Sequence, residues 1–425
     1  GGAGAGAAER TGPSRMSAAI CRLCSTPLRH TVVDLGTTPL CESYVSAAAY
    51  NEPEAFYPLH ALVCGVCYLV QIEQLVSPES VFAEYAYFSS YSDTWVAHAR
   101  GFASAARQRF GLTVQHFVVE LGSNDGYLLQ HFAADGIPVL GVDPAANVAA
   151  AARDRHLDTD VAFFGLTVAR RLAARRRADL IVANNVLAQV PDLHDFVAGI
   201  ALLLAPAGVV TIEVPHVLRL LEGNQFDTIY HEHFSYFSLH AAERLFAHHD
   251  LRCFDVEELT THGGSLRLYL CHGTDPMQRD TAAVAGLRRR ERDAGLLRLD
   301  TYAGFAARAR ETKRRLLEFL IDAARRGHRI AGYGAPGKGN TLLNYCGVGT
   351  DFIAYTVDRN PYKQGKYLPG SRIPVYAPER IAETKPDYLF ILPWNLKDEI
   401  IEQMSFIRAW GGRFVVPIPE PQVIA

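Results

Sequence analysis

The chain has 425 residues, of which 49% are hydrophobic and 20% charged, and a formal net charge of −3. This length exceeds one ordinary domain, so two or three are expected, and the small negative charge argues against a general affinity for nucleic acid. Pro206 and Gly208 interrupt the most apolar segment, residues 196–210, whereas a membrane span needs about 20 unbroken apolar residues.

The N-terminus is the first feature along the chain. Residues 1–16, mostly small and including GGAGAGAAERTGPSR, are expected to be a disordered lead or an expression remnant, without the apolar core of a signal peptide. The eight cysteines include two close pairs, which favours metal binding in a reducing compartment over disulfides. We therefore expect a cytoplasmic monomer with no membrane partner.

Residues 17–80 are predicted to form a zinc-binding module. Cys21 and Cys24 make one C-x2-C pair, and after 39 further residues Cys64 and Cys67 make another. Four thiolates complete a tetrahedral site with no open position, so zinc there would be structural. The alternative is four buried or partly oxidised thiols, and Cys41 is a spare in the intervening loop. The segment that follows, YAYFSSYSDTW at 85–95, either packs against the next domain or lines a substrate pocket.

Residues 81–280 are predicted to form a cofactor-binding α/β domain. A buried strand at 117–122 runs into the glycine turn 122–126, and a second strand ends at Asp143, where an acid can bind both hydroxyls of a ribose. Further strands are expected at 180–185 and 208–213. The expected cofactor residues are Glu120, Gly122, Ser123, Asn124, Gly126, Asp143, Asn184 and Asn185.

The glycine turn distinguishes between two cofactors. A dinucleotide site requires G-x-G-x-x-G, but Asn124 replaces the second glycine and the motif here is E-x-G-x-x-x-G, led by Glu120. This pattern looks like motif I of the class I methyltransferases, which bind S-adenosylmethionine. An acidic strand end suits the cationic sulfonium of that cofactor. A doubly wound fold that binds another ligand remains the alternative.

Residues 281–425 are predicted to form a second Rossmann-like domain after a basic helical stretch at 281–327. The strand and loop at 328–340 nearly match a phosphate-binding P-loop, but Gly339 replaces the hydroxyl that would bind magnesium. Strands are expected at 352–358 and 388–392, and ligands of open α/β sheets collect at the carboxyl ends of such strands. The expected substrate-binding residues are His262, Lys338, Asn340, Asp358, Lys363, Trp394 and Asn395.

These motifs together resemble the sugar C-methyltransferases of deoxysugar antibiotic biosynthesis, notably the 3-C-methyltransferases of nucleotide-linked 4-keto sugars. The motifs that carry the resemblance are the four cysteines, 118-VVELGSNDGYLL-129, 182-VANNVLAQVPDL-193, 229-IYHEHFSYFS-238, 262-HGGSLR-267 and 332-GYGAPGKGNTLLNYCG-347. The resemblance implies structural zinc, S-adenosylmethionine in the middle domain, and a dTDP-sugar that bridges the middle and C-terminal domains.

The resemblance also implies the catalytic residues. Tyr230, Glu232 and His233 match the active-site tyrosine, glutamate and histidine of the family, with His233 the favoured base, and either Tyr85 or Tyr87 matches a further tyrosine. The chain departs from the family at one position: the family commonly carries histidine where this chain has Gln189, and glutamine cannot shuttle a proton near neutral pH.

The run TIYHEHFSYF at 228–237 is consistent with that chemistry. Carbon methylation next to a ketone needs a base, donors for an enolate oxygen and a methyl donor, and the run supplies histidine, tyrosine and carboxylate. An extended backbone would place His231 and His233 on one face and Glu232 on the other, with His231 structural. The alternatives are a metal site or an exposed polar turn.

The predicted function is thus S-adenosylmethionine-dependent C-methylation of a dTDP-linked 4-keto-deoxysugar, at C-3. The alternatives are methylation at C-5, O- or N-methylation of a nucleotide sugar, and a zinc-stabilised binding protein that has lost activity.

Overall fold

The computed structural model describes residues 19–79 and 88–425, and three sheets organise this part of the chain. The first sheet belongs to the N-terminal module and is antiparallel. Its strands are β1 (His30–Thr38), β2 (Tyr57–Val63) and β3 (Val70–Ile72), joined by β9 (Ser235–Tyr236). Because β9 comes from the middle of the chain, the module is tied to the segment that immediately follows His233.

The second sheet has seven strands in the order β10-β11-β8-β7-β4-β5-β6, and only β11 runs against the others. Its strands are β4 (Val118–Leu121), β5 (Val139–Asp143), β6 (Thr159–Val161), β7 (Ala178–Asn184), β8 (Leu204–Pro215), β10 (Leu251–Leu259) and β11 (Ser265–His272). The helices of this domain are α1 (Asp93–Phe110), α2 (Leu129–Ala134), α3 (Ala146–Asp154), α4 (Leu166–Ala173), α5 (Leu193–Leu203), α6 (Val217–Glu222) and α7 (Leu239–Ala247). In this domain buried strands alternate with amphipathic helices, as the sequence pattern predicts.

The third sheet has six strands in the order β14-β13-β12-β15-β16-β17, all parallel except β17. Its strands are β12 (Ile330–Tyr333), β13 (Thr356–Val357), β14 (Val375–Tyr376), β15 (Tyr388–Ile391), β16 (Arg413–Val416) and β17 (Gln422–Ile424). The remaining helices are α8 (Ala282–Asp293), α9 (Leu299–Ala303), α10 (Phe305–Arg325), α11 (Gly337–Cys346), α12 (Arg380–Thr384) and α13 (Lys397–Gln403). The strand expected at 352–358 is reduced to residues 356 and 357, because the turn at 350–352 extends into the expected range and residues 353–355 do not pair as a strand.

The module packs against both larger domains. One hydrophobic cluster combines Val32 and Val33 of β1 with Phe226 and with Leu342 of α11, and a second cluster combines zinc-module residues with the cofactor domain. The predicted fold class is confirmed: an α/β protein with an N-terminal zinc-binding module, a methyltransferase Rossmann-like domain and a C-terminal Rossmann-like domain. In the part of the chain that the structure describes, none of the helices is both long and apolar enough to cross a bilayer.

Candidate active site

The four cysteines of the module meet at one point. Their sulfur atoms all lie within 4.8 Å of one another, with Cys21 Sγ 3.5 Å from Cys67 Sγ and Cys24 Sγ 3.4 Å from Cys64 Sγ. All four are free thiols, and zinc–sulfur bonds of about 2.3 Å in a tetrahedron require sulfur–sulfur separations of about 3.8 Å. The residues therefore fit a structural zinc ion.

The glycine turn after β4 depends on the backbone conformation of Gly122 and on its close approach to Val186. Gly122 has φ +66°, which other residues rarely adopt, and a Cβ here would lie 2.4 Å from Val186 Cγ2. In the same turn the amide of Asn124 donates to Asp143 Oδ2 at 2.8 Å. The ends of β4 and β5 are thus joined at this turn, and a side chain at residue 122 would collide with Val186.

Several buried polar groups around this turn have no partner among the described residues. They include the Ser123 hydroxyl, both Glu120 oxygens and the amide groups of Asn184 and Asn185. Burial, followed by the charges of Asp143 and Asp125, raises the pKa of Glu120 well above its ordinary value. Unpaired buried polar groups are costly, so this set fits a polar, cationic ligand such as S-adenosylmethionine.

A single cavity of about 430 Å³ extends from the glycine turn to the neighbouring domains. Its wall includes the cofactor residues Gly122, Asn124, Asp143, Asn184 and Asn185 together with Gln189, His233, His262 and Lys338. Glu120, Ser123 and Gly126 are absent from this wall; the first two lie in the layer of buried residues beneath it. The structure therefore brings the expected cofactor site and the expected base to one space.

The run 230–233 is a tight turn, so the extended backbone expected for it is wrong. The amide of His233 donates to the carbonyl of Tyr230 at 2.9 Å. As a result Tyr230 Oη lies 3.2 Å from His233 Nε2, with ring centroids 4.3 Å apart. His231 instead points to the module, where its Nε2 lies 3.1 Å from the Pro58 carbonyl oxygen, as a structural residue would.

Glu232 is directed away from Tyr230 and His233. Its Oε1 accepts from the Cys41 thiol at 3.6 Å, so Cys41 contacts the predicted catalytic run even though zinc does not need it. Burial, with the charge of Glu42, raises the pKa of Glu232 to about 8. The structure thus places Glu232 beside Cys41 and not in contact with His233.

The C-terminal candidates separate into two groups. Lys338 Nζ donates to Asn395 Oδ1 at 2.7 Å and lies 4.9 Å from the Trp394 ring centroid, while Trp394 Nε1 donates to Asp227 Oδ2 at 2.6 Å. Because Trp394 is only 9% exposed, its ring is packed rather than open for stacking on a base. Lys338 is the member of this first group that lines the cavity.

The second group stabilises the domain junction. Lys363 is 5% exposed and bonds the Ala335 carbonyl at 2.8 Å and Glu42 Oε2 at 3.3 Å, so its ammonium is not available to bind substrate as expected. Asn340 Nδ2 donates to the Cys41 carbonyl at 2.6 Å. Asp358 caps the glycine loop, where it accepts from the amide of Ala335 at 2.7 Å.

Comparison with known proteins confirms what the geometry indicates. Three family models match along the chain: a zinc binding domain at residues 21–82, a methyltransferase domain at 95–256 and a C-methyltransferase C-terminal domain at 260–419. C-methyltransferase NovU of Streptomyces niveus is 40% identical over 411 residues, which are 95% of this chain and 96% of that protein. The chain belongs to the C-methyltransferase family.

More distant relatives share only part of this C-methyltransferase. A ubiquinone biosynthesis O-methyltransferase of Rhodopseudomonas palustris strain HaA2 is 31% identical over 99 residues, which are 22% of this chain and 38% of that protein. The solved structure of the PH0226 protein from Pyrococcus horikoshii OT3 has 15% identity and a TM-score of 0.35, and covers 46% of this chain and 97% of that one.

Family membership confirms the resemblance to the sugar C-methyltransferases, the enzymatic activity and the cofactors. The protein is an S-adenosylmethionine-dependent C-methyltransferase with a zinc-binding module. The residue roles remain predictions. Tyr85 and Tyr87 lie outside the described residues, so their place in the C-methyltransferase site is not described either.

Sequence reasoning missed one wall of the C-methyltransferase cavity. Trp95 lines it and stacks on His98 with ring centroids 4.9 Å apart. His98 Nε2 lies 3.2 Å from Glu213 Oε1, which Arg267 also binds at 2.6 Å. The sequence provided a partial indication, because a pocket wall was one of the two interpretations of the segment 85–95. Glu213 and Arg267, which fix His98 behind Trp95, come from distant strands.

Proposed function

We propose that this C-methyltransferase methylates C-3 of a dTDP-linked 4-keto-deoxysugar through an enolate. The observation that carries the proposal is the shared cavity: His233 lies in the same wall as Gly122, Asp143 and Asn184. A base in that position can remove a proton from a carbon that faces the methyl donor, as carbon methylation next to a ketone requires.

His233 is suited to the base role by its protonation state. Burial, with the charges of His262 and Lys338, lowers its pKa to about 3, so the imidazole is neutral at pH 7 and accepts a proton only when a negative charge forms beside it. The Tyr230 hydroxyl holds the ring at 3.2 Å. An enolate formed nearby would favour the imidazolium, since opposite charges raise the pKa of a histidine.

Asp143, Asn184 and Asn185 are proposed to hold S-adenosylmethionine, with Glu120 beneath them. Asp143 already accepts amides from Asn124 and Ala145 at 2.8 and 2.9 Å, which fixes its carboxylate while leaving lone pairs for ribose hydroxyls. When bound, the cofactor supplies the methyl group as an electrophile, and the electron pair of the broken C–S bond stays on sulfur.

The nucleotide is proposed to bind at the carboxyl edge of the C-terminal sheet. Support comes from the glycine loop between β12 and α11 and from Asp358 after β13, because ligands of open α/β sheets collect at such edges. Lys363 has no part in this proposal, since Glu42 and Ala335 occupy its ammonium. We further propose that the protein is a cytoplasmic monomer. The eight free cysteines support the cytoplasmic location, because free thiols persist in a reducing compartment.

The test uses the purified enzyme, S-adenosylmethionine and a panel of dTDP-4-keto sugars deuterated next to the ketone. C-3 methylation replaces that deuterium with a methyl group, seen by mass spectrometry and placed by NMR. Retention of deuterium with methylation would establish O- or N-methylation instead, and methyl at C-5 would overturn the position.

A pair of variants tests the base. His233→Asn should abolish both turnover and deuterium loss while cofactor binding, measured by calorimetry, persists. His231→Asn is the matched control, because that side chain contacts Pro58 outside the cavity and should retain turnover. Full activity of His233→Asn would remove His233 from the base role.

A further inference from the structure

Lys338 occupies an unusual position for a lysine of a phosphate-binding-like loop. It is the second residue of α11 and only 8% exposed, and its side chain lies in the cavity wall with His233 and His262. Its ammonium is held between the Asn395 amide oxygen at 2.7 Å and the face of Trp394. Lys338 therefore lines the cavity while these two neighbours fix its ammonium, which is not free to follow a diphosphate in solvent.

The charge of Lys338 reaches both histidines of the site. It contributes to the lowered pKa of His233 and is the largest charge effect on His262, whose pKa falls to about 4. Among the described wall residues Lys338 is the sole lysine or arginine, whereas Glu42, Asp143 and other acids line the same space. Among the described wall residues, Lys338 is thus the one fixed cation that can stabilise an anion forming near His233.

The reaction under "Proposed function", on which this inference rests, creates such an anion. When His233 takes the α-proton, the electron pair of the C–H bond forms a carbon–carbon double bond and the ketone oxygen becomes negative. Charge stabilisation in a site shielded from water is worth far more than in solution, because no solvent must reorganise. We propose that Lys338 is a catalytic residue whose ammonium stabilises the enolate oxygen, and that it does not anchor the diphosphate.

The charges balance through the step. The neutral imidazole becomes an imidazolium, the neutral ketone becomes an enolate paired with the Lys338 ammonium, and no proton leaves Lys338. Formation of the carbon–methyl bond restores the ketone, and the imidazolium then releases its proton to solvent. Lys338 therefore ends the cycle in the state in which it began.

The surroundings of Lys338 tune its protonation. Burial lowers its pKa to about 8, and the Asp227 carboxylate opposes that shift. Asp227 is fixed by Trp394 at 2.6 Å, and the other titratable groups that face the ammonium are His233 and His262. Since the cation is required, kcat should fall as the pH rises through about 8.

The experiment separates chemistry from nucleotide binding in Lys338→Met, with Lys397→Met as the matched control because that lysine is absent from the cavity wall. Exchange of the substrate α-hydrogen with D2O is followed by NMR in the presence of S-adenosylhomocysteine, and dTDP alone is the binding probe in calorimetry. Lys338→Met should lose about 10²–10³-fold in kcat and in exchange, with dTDP affinity changed less than about twofold and the control unchanged.

The opposite split would overturn the inference: dTDP affinity lost at least tenfold while exchange persists. If Lys338→Met fails to fold, as circular dichroism would show, the pH profile of the wild type provides the test. A kcat that stays constant between about pH 7 and pH 9.5 would refute the requirement for a protonated Lys338. Absence of exchange and methylation in the wild type with every keto sugar would instead reject the proposed function itself.

Discussion

Glu120→Gln should stabilise the cofactor-free protein near neutral pH, because a buried glutamine needs no proton to be uncharged. The carboxyl is 1% exposed, and neither oxygen has a hydrogen-bond partner among the described residues. Because burial raises its folded-state pKa, the folded protein binds this proton more tightly than the unfolded chain does. The stability that Glu120 contributes is therefore present at low pH and lost as the pH rises above its unfolded-state pKa.

The size of the effect follows from proton linkage. For each pH unit between the unfolded-state pKa near 4.3 and the raised folded-state pKa, the wild type loses about 1.4 kcal/mol relative to a glutamine variant that does not titrate. Saturation with cofactor at about 100 times its Kd adds about 2.7 kcal/mol to the wild type. Glutamine offers a cation no charge, so the variant should gain less from cofactor.

Urea unfolding at pH 5, 6 and 7, with and without S-adenosylmethionine, measures both effects. The matched control is Glu213→Gln on β8, since His98 and Arg267 lower the pKa of that buried carboxyl despite its burial. Removing its charge leaves Arg267 with Glu257, at 2.8 Å, in place of its most buried partner, and should cost about 1–3 kcal/mol across this pH range. A difference between wild type and Glu120→Gln that does not change with pH would refute the reasoning.

Three further predictions follow from single contacts. Cys24→Ser should lower the zinc content measured by atomic absorption, whereas Cys41→Ser should keep the zinc. Cys24→Ser should also reduce kcat, because β3 of the module pairs with β9, which follows the turn at 230–233. Gly122→Ala should weaken S-adenosylmethionine binding in calorimetry, and adding Val186→Ala should restore only part of it, since the φ of +66° still costs about 1–2 kcal/mol. Asp227→Asn should move the alkaline limb of kcat to lower pH, because that carboxylate raises the pKa of Lys338; an unmoved limb would assign it to another group.

The candidate site shows where local sequence is informative. Each C-x2-C pair and the glycine turn are short motifs whose residues are dictated by the ligand that they bind. Zinc and S-adenosylmethionine could therefore be predicted without a structure. The orientation of Glu232 could not, because an isolated run does not show whether its backbone extends or turns. The hydrogen bond from His233 to Tyr230 turns it, and Glu232 then meets Cys41 instead of His233.

By itself, the sequence determined the fold class and the order of its parts, since hydrophobic periodicity and motif chemistry are local, and it predicted a base at His233. Only the tertiary structure decided which charges surround that base. Lys338 lies more than a hundred residues from His233 along the chain, yet α11 packs on the segment before the catalytic turn, where Thr341 Oγ1 donates to the Ile229 carbonyl at 3.2 Å. Asn395 and Trp394 then hold the Lys338 ammonium at the edge of the site, because a buried cation is retained only where such partners converge.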